Sequence, residues 1–308
     1  MMKRNYFLGL LAALAVMCLV FMGISFLLES PGERNPLGKA RIVVSIEPQA
    51  FFVQKIAGDL VEIEVLVPGG KEPETYIPSP EKIRNFARSQ VYFRVGFPPE
   101  ENFVPRLKSI APKLLIVDTR EGLDVRKSEG DHHHHHEDGT CCGSDGIDPH
   151  IWMSPAMVKK QADVILKTLI ELDPSHEKVF RESHAKFMDE LTELQKTVHE
   201  KLNSLQGKTL FVYHPSYGYF CDEFGLNQKA IEVEGKSPTP RKLADWIKTV
   251  QDDQIRAIIV QPEFNQSAAQ TISGQTQVSL VVHSPLEQDY YNCIRSLADI
   301  IVQMHENP

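Results

Sequence analysis

The sequence predicts a two-lobed α/β fold, and three observations support this. A length of 308 residues is enough for about two domains. From Lys39 onward, short β-branched runs alternate with helical segments, and the near-continuous apolar runs among them are typical of parallel strands covered on both faces. A long helical pattern without Gly or Pro lies near the middle of the chain. We therefore expect two similar lobes, each a four-stranded parallel-type sheet flanked by helices, joined by one long rigid helix.

Residues 1–39 are predicted to be an export segment and its tether. Lys3 and Arg4 precede an uncharged apolar stretch of 23 residues, Tyr6–Leu28, as in a secretory signal. A stretch of this length also suffices to span a bilayer, so a cleaved signal and an uncleaved membrane anchor both stay open. Cys18 leaves lipid attachment as a third interpretation. In each case the remaining chain lies outside the cytoplasmic membrane.

The predicted N-terminal lobe covers residues 40–174 and the C-terminal lobe residues 207–308. Each contains four candidate strands bounded by turn residues. These are Arg41–Ile46, Val61–Val67, Val91–Val95 and Leu114–Asp118 in the first lobe, and Thr209–Tyr213, Lys229–Val233, Ala257–Val260 and Val278–Val282 in the second.

The segment between the lobes, residues 175–206, is predicted to be one rigid helix of roughly 45 Å. Its apolar residues recur at helical spacing. They are Phe180, Phe187, Leu191, Leu194, Val198, Leu202 and Leu205. Pro174 precedes the helix and Gly207 ends it. A coiled-coil arm is the alternative, but a spine between two lobes fits an α/β chain better.

Charge and motifs exclude several classes of function. The formal net charge is -8, and residues 40–308 carry 29 basic against 39 acidic residues, which argues against a nucleic-acid-binding protein. HExxH, GxSxG, Walker and GxGxxG motifs do not occur in the sequence, so an enzyme is disfavoured. The 12 histidines, five of them in one run, indicate metal instead.

Two histidines stand where a metal ligand is expected. His150 lies in "DPHIWMSP", between Pro149 and the helix start at Pro155, with Asp148 available to orient its ring. His214 follows the strand "TLFVY", and ligands bind beyond the carboxyl ends of parallel strands. Either histidine could instead be structural.

Further candidate ligands lie on loops that follow other strands. The loop "VPGGKEPETYIPSP" offers Glu72 and Glu74, and the last two strands are followed by Glu263, His283 and Ser284. Imidazoles and carboxylates that converge from both lobes would form a site for a divalent transition metal. The alternative is a set of unrelated loop residues.

The segment Asp131–Asp138 is a low-complexity loop that contains the histidine run. We expect it to bind metal weakly at several positions, to collect or sense it, unless it is merely a tolerated insertion. The run consists of His132, His133, His134, His135 and His136. Cys141 and Cys142 follow the run. Adjacent cysteines rarely form a disulfide with each other, so we expect these two to bind a soft metal or to remain as thiols.

Over residues 40–308 the chain resembles the zinc and manganese solute-binding proteins of ABC importers. The resemblance rests on "LVPGG…PETYIPSP", "DPHIWMSP", the His-rich loop before it, "YHPSYGYFCDEFGL" and "SPLEQDYY". It implies a non-enzymatic, exported monomer, periplasmic or on the outer face of the cytoplasmic membrane. Such a protein binds a metal ion between two lobes and passes it to a membrane permease.

The resemblance also implies a ligand set with two departures. His150 and His214 match two of the family's four ligand positions, and the histidine at the second of these favours Zn²⁺. Glu74 stands where the family has histidine, and Ser284 where it has aspartate. The fourth position is then Ser284, His283, Glu263 or water. These departures keep Mn²⁺ or Fe²⁺ open as cargo, and a surface-anchored storage protein or adhesin is the alternative class.

The remaining cysteines lie in the second lobe. Export permits disulfides, so a bridge between Cys221 and Cys293 is expected to be feasible.

Overall fold

A computed structural model describes residues 38–127, 146–232 and 238–306. Three predictions concern residues outside these ranges: the apolar export segment with Cys18, the run His132–His136, and the pair Cys141 and Cys142. Within the described ranges, no helix combines the length and the apolar character that a membrane crossing requires.

The first sheet contains the predicted four strands, all parallel. They are β1 (Ala40–Val44), β2 (Val61–Val65), β3 (Val91–Arg94) and β4 (Leu115–Asp118). Their order is β2-β1-β3-β4. The central strand β3 is buried throughout, as its apolar sequence predicts. The predictions for β1, β2 and β3 run one or two residues past the observed ends, because the chain turns into loops at the carboxyl edge of the sheet; at the other edge β1 begins one residue earlier, and β4 one residue later, than predicted.

Three helices flank this sheet, and each has proline in its first turn, where a missing N–H costs nothing. They are α1 (Glu47–Ala57), α2 (Pro80–Phe86) and α3 (Pro98–Ile110).

Two longer helices follow the first sheet along the chain. The first, α4 (Pro155–Leu172), begins at the predicted proline, and the Ser154 hydroxyl caps it by accepting a hydrogen bond from the Met157 N–H at 3.1 Å. The second, α5 (Glu177–Leu202), has 26 residues and a length of about 39 Å. It is the predicted linking helix. One-turn 3-10 helices, Pro174–His176 and Asn203–Leu205, occupy the two ends that were predicted to be α-helical.

The second sheet is also parallel and four-stranded. Its strands are β5 (Thr209–Val212), β6 (Asn227–Ala230), β7 (Ala257–Val260) and β8 (Ser279–Val282). Their order is β6-β5-β7-β8. The prediction for β6, Lys229–Val233, is wrong at both ends. This strand lies at the edge of the sheet with alternate residues exposed, so it tolerates the polar sequence "NQKA".

The helices of the second lobe are α6 (Gly218–Phe224), α7 (Pro240–Asp252), α8 (Ser267–Thr276) and α9 (Tyr290–Glu306).

One hydrophobic core extends across both lobes, and a second lies within the C-terminal lobe. Helix α5 packs against α1 of the first lobe and α9 of the second. Across this junction Phe52 and Tyr290 meet edge to face with ring centroids 5.0 Å apart. The Trp152 indole donates a hydrogen bond of 2.7 Å to the Pro285 carbonyl of the other lobe. A packed interface of this kind resists a wide hinge motion.

The bridge between Cys221 and Cys293 that the sequence leaves open is not formed between these two cysteines, the only ones that the structure describes. Cys221 lies in α6 and Cys293 in the first turn of α9. The Cys293 thiol instead contacts the Ser284 carbonyl at 3.4 Å, and burial raises the pKa of this thiol well above its usual range.

Candidate metal centre

His150 is held rigidly by its own loop. It precedes a one-turn 3-10 helix, Ile151–Met153, whose side chains are fully buried, and its own residue is only 5% exposed. Asp148 Oδ1 accepts a hydrogen bond from the His150 backbone N–H at 3.0 Å and lies 2.8 Å from the ring Nδ1. We assign the Nδ1–H tautomer from this contact, which leaves the Nε2 lone pair available to a metal.

Asp148 also forms an ion pair with a neighbouring arginine. Its Oδ2 lies 3.5 Å from Nε of Arg126, whose Nη1 also pairs with Asp222 at 3.1 Å. The carboxylate that orients His150 is therefore partly offset by a cation beside it.

His214 is held by residues that are distant in sequence. It directly follows Tyr213 at the carboxyl end of β5, as predicted. The Gln261 amide clamps its backbone, accepting from the His214 N–H at 3.2 Å and donating to the His214 carbonyl at 2.9 Å. The ring Nδ1 lies 3.1 Å from Glu232 Oε2, and Phe264 stacks on the ring with centroids 4.0 Å apart. The Nε2 atom is thus directed away from Glu232, toward the other lobe.

Glu74 reaches the same point from the loop after β2. This loop is stiffened by the buried residues Pro73 and Pro78, which restrict the backbone on both sides of the carboxylate. The Glu74 side chain is 19% exposed, so the cluster retains access to solvent on this side.

The three side chains form a compact triangle of ligand atoms. Glu74 Oε1 lies 3.7 Å from His150 Nε2 and 3.5 Å from His214 Nε2, and the two Nε2 atoms are 3.4 Å apart. Ligands at zinc bond lengths on a tetrahedron lie about 3.3 Å from one another, whereas neighbours on an octahedron would lie about 3.0 Å apart. Among the residues that the structure describes, this is the one cluster of potential metal ligands.

The charges at this cluster favour a proton on His214 when no metal is bound. Burial alone would lower the His214 pKa, but hydrogen bonds and the negative charges of Glu232 and Glu74 outweigh it and raise the pKa from 6.5 to about 9. Burial would raise the pKa of Glu74, yet contact with His214 and the histidine charges lowers it. The two carboxylates thus stabilise a positive charge between them. Without a metal, that charge is a proton on His214 Nε2.

A further carboxylate, Glu72, lies near the cluster. Burial raises its pKa, and the negative charges of Glu232 and Glu74 raise it further. The carboxylates of Glu72, Glu74 and Glu232 therefore lie close enough to one another to disfavour further negative charge at this point.

The three candidates for a fourth ligand make hydrogen bonds of their own, although Glu263 Oε2 is buried without a partner. The Ser284 hydroxyl donates a short hydrogen bond to Glu263 and accepts one from the Leu286 N–H at 3.1 Å. His283 Nδ1 lies 3.1 Å from the Tyr217 hydroxyl, and its Nε2 lies 3.0 Å from the Cys293 carbonyl. The structure does not bring Glu263 or His283 into the cluster formed with His150 and His214.

Sequence reasoning missed Glu232 and Phe264. Glu232 was placed within the predicted strand Lys229–Val233, but β6 ends at Ala230 and Glu232 lies just beyond it, 5% exposed. Their position after a predicted strand could have indicated them, since both residues lie at the same carboxyl edge of the sheet as His214.

Comparison with known proteins decides the family. Residues 42–304 match the family model described as "ZnuA: Zinc-uptake complex component A periplasmic". The chain belongs to the ZnuA family. It is therefore a metal-binding solute-binding protein of the ABC-importer type, which acts outside the cytoplasm with a membrane permease, and the predictions of this class and of zinc as the family's cargo are confirmed.

Individual relatives of this ZnuA-family chain agree with the assignment. The zinc-binding lipoprotein AdcA of Streptococcus pneumoniae is 27% identical over 276 residues, which are 85% of this chain but only 53% of AdcA. The manganese-binding lipoprotein MntA of Halalkalibacterium halodurans is 24% identical over 82% of this chain and 81% of its own length. A crystal structure of ZnuA superposes with a TM-score of 0.79 at 31% identity, covering 86% of this chain and 99% of ZnuA. The predicted two-lobed fold is confirmed.

Proposed function

We propose that this chain captures Zn²⁺ between its two lobes with Glu74, His150 and His214 and delivers it to an ABC permease. One observation carries the proposal. Ligand atoms from three separate loops converge to 3.4–3.7 Å, and carboxylates engage the outer Nδ1 atoms of both histidines. Such outer carboxylates orient metal-binding histidines and strengthen them as ligands.

The donor set favours zinc over harder cations. Two imidazoles and one carboxylate at tetrahedral spacing form a set that Zn²⁺ accepts, with a fourth position for water. Mn²⁺ prefers more oxygen ligands, so it is the weaker candidate. Glu74 adds one oxygen donor, which suits Mn²⁺ or Fe²⁺ better than a third imidazole would. Together with the similarity to MntA, it keeps these metals as the alternative cargo.

Capture requires a proton to leave the site. With no metal present, His214 carries a proton on Nε2, directed at Glu74 and His150. Bound Zn²⁺ takes the place of this proton, so binding releases it to solvent.

Release is proposed to proceed through loop movement rather than a wide separation of the lobes. The shared core and the Trp152–Pro285 hydrogen bond hold the lobes together. Glu74 lies on a loop and is the most exposed of the three ligands. Docking to the permease would therefore free the metal most easily by displacing the Glu74 loop.

A zinc titration tests the site directly. We expect one tight site in the wild type, and a dissociation constant at least about 100-fold higher in His214→Ala, since even the outer partners of a ligand are worth about 10–100-fold. His176→Ala is the matched control, because this histidine lies on the surface beside Asp173. Equal zinc affinity in wild type and His214→Ala would contradict the proposal that the cleft is the tight site.

The loop Asp131–Asp138 is proposed to collect metal weakly and pass it to the cleft. Deletion of this loop should leave the tight site and remove only the weak ones. Loss of the tight site in the deletion variant would make the loop the principal site instead.

We further propose that the chain catalyses no reaction and acts as a monomer, with lobes at 40–174 and 207–308 joined by residues 175–206. Residues 1–39 would direct it outside the cytoplasmic membrane, as a cleaved signal or as an anchor. Mass spectrometry of the exported protein tests this, because a mature chain that begins shortly after Leu28 indicates cleavage.

A further inference from the structure

The two candidate histidine ligands are oriented by carboxylates of different effective charge. Asp148, beside His150, lies 3.5 Å from the Arg126 guanidinium. Glu232, beside His214, lies within ion-pair distance of no lysine or arginine among the described residues. The two contacts have similar geometry, at 2.8 and 3.1 Å, so the difference between them is one of charge.

A bound divalent cation needs more negative charge than the three ligands supply. Glu74 is the one carboxylate in the cluster, and it offsets one of the two positive charges of Zn²⁺. Ser284, at the position where the family resemblance implies an aspartate, is neutral and bonded to Glu263. A second negative charge must come from beyond the direct ligands if the buried cation is to be neutralised.

We propose, on the basis of the proposed function above, that Glu232 is a positioning residue that supplies this second charge through the His214 imidazole. Its carboxylate accepts the hydrogen bond from Nδ1–H, which polarises the ring and makes Nε2 a stronger donor to the metal. Because Glu232 is buried and has no competing cation among the described residues, its charge acts on His214 with little screening.

The test separates charge from hydrogen bonding. Glu232→Gln keeps an oxygen that accepts from the His214 Nδ1–H and removes only the charge. We expect the Zn²⁺ dissociation constant to rise about 10–100-fold. Glu200→Gln is the matched control, since it makes the same change in net charge on the exposed face of α5, and its dissociation constant should stay within about twofold of wild type.

A spectrum distinguishes a positioning residue from a ligand. The visible absorption of the Co²⁺-loaded protein reports the number and type of direct ligands. We expect Glu232→Gln to keep the wild-type Co²⁺ spectrum while it binds Zn²⁺ more weakly. Wild-type Zn²⁺ affinity in Glu232→Gln would overturn the inference, and so would a changed Co²⁺ spectrum, because Glu232 would then be a ligand itself.

A second pair of variants keeps the test decisive if Glu232→Gln does not fold. Glu232→Asp retains the charge and Glu232→Ala does not, so the aspartate variant should bind Zn²⁺ at least about tenfold more tightly. Equal affinities in this pair would contradict the inference. The proposed function fails separately, if wild type lacks a tight Zn²⁺ site or if His214→Ala binds as wild type does.

Discussion

The two lobes hold their candidate ligands in different ways. In the N-terminal lobe, His150 is fixed by Asp148, two residues away, whose charge Arg126 shares. In the C-terminal lobe, His214 is fixed across the sheet by Gln261, Glu232 and other residues that follow neighbouring strands. The first half of the site is therefore a local turn whose orienting carboxylate is paired with Arg126, whereas the second half depends on tertiary structure and its orienting carboxylate has no lysine or arginine partner among the described residues.

The largest difference between the halves should appear in the stability of the metal-free protein. His214→Ala leaves the buried Glu232 and the partly exposed Glu74 without their cation, and breaking the buried pair with Glu232 costs about 3–5 kcal/mol. His150→Ala leaves Asp148 paired with Arg126, so we expect a loss of only about 1–2 kcal/mol. Urea unfolding of the metal-free variants measures both values. Equal losses would show that the two halves do not differ in charge.

The proton on His214 predicts opposite pH dependences for the stability of the metal-free protein and for its affinity for zinc. The His214 pKa is raised from 6.5 to about 9 in the folded protein, so its contribution to metal-free stability is complete below pH 6.5 and lost as pH rises through 9. Zinc affinity should rise over this window, by roughly tenfold per pH unit, because the competing proton leaves. Chelator competition and urea unfolding at several pH values measure the two trends. A zinc affinity that stays constant over the window would contradict the protonated state of His214.

A smaller effect on zinc affinity is expected when Asp148, the carboxylate beside His150, loses its charge. Asp148→Asn keeps an acceptor for His150 Nδ1–H and removes a charge that Arg126 already offsets. Its zinc dissociation constant should rise by no more than about tenfold, the lower end of the range for such partners. It should stay below the value for Glu232→Gln in the same titration. The reverse order would overturn the contrast between the lobes.

The smallest effect on zinc affinity is expected at the contact between lobes. Trp152→Phe removes the hydrogen bond to the Pro285 carbonyl and should lower the free energy of unfolding by about 1–3 kcal/mol, since that buried acceptor loses its partner. The dissociation constant for zinc should change by less than about threefold, because the ligands keep their own supports. A large loss of affinity would mean that lobe packing, rather than the local contacts, fixes the site.

The sequence predicted the half of the site that is local. "DPHIWMSP" places an orienting acid and a histidine on one turn, so His150 and Asp148 could be read together. The carboxyl ends of strands also indicated His214 and Glu74, because parallel strands end at a common edge. Two lobes, eight strands and one long helix followed from apolar patterning.

The partners of His214 could not be predicted in the same way. Glu232 lies 18 residues from His214, and its position depends on where the polar edge strand β6 ends. Edge strands have weak apolar patterns, so the end of β6 was misplaced. The question of a bridge between Cys221 and Cys293 is likewise decided by tertiary placement, which spacing along the chain does not give.

X-ray absorption at the zinc edge tests the central claim most directly. Full-length protein that holds one equivalent of Zn²⁺ should show only nitrogen and oxygen neighbours at about 2.0–2.1 Å, with scattering from two imidazoles. These are His150 and His214, with Glu74 and water completing the shell. A sulfur shell at about 2.3 Å, or scattering from four imidazoles, would contradict the cleft site and place the tight site in the Cys- and His-rich segment instead.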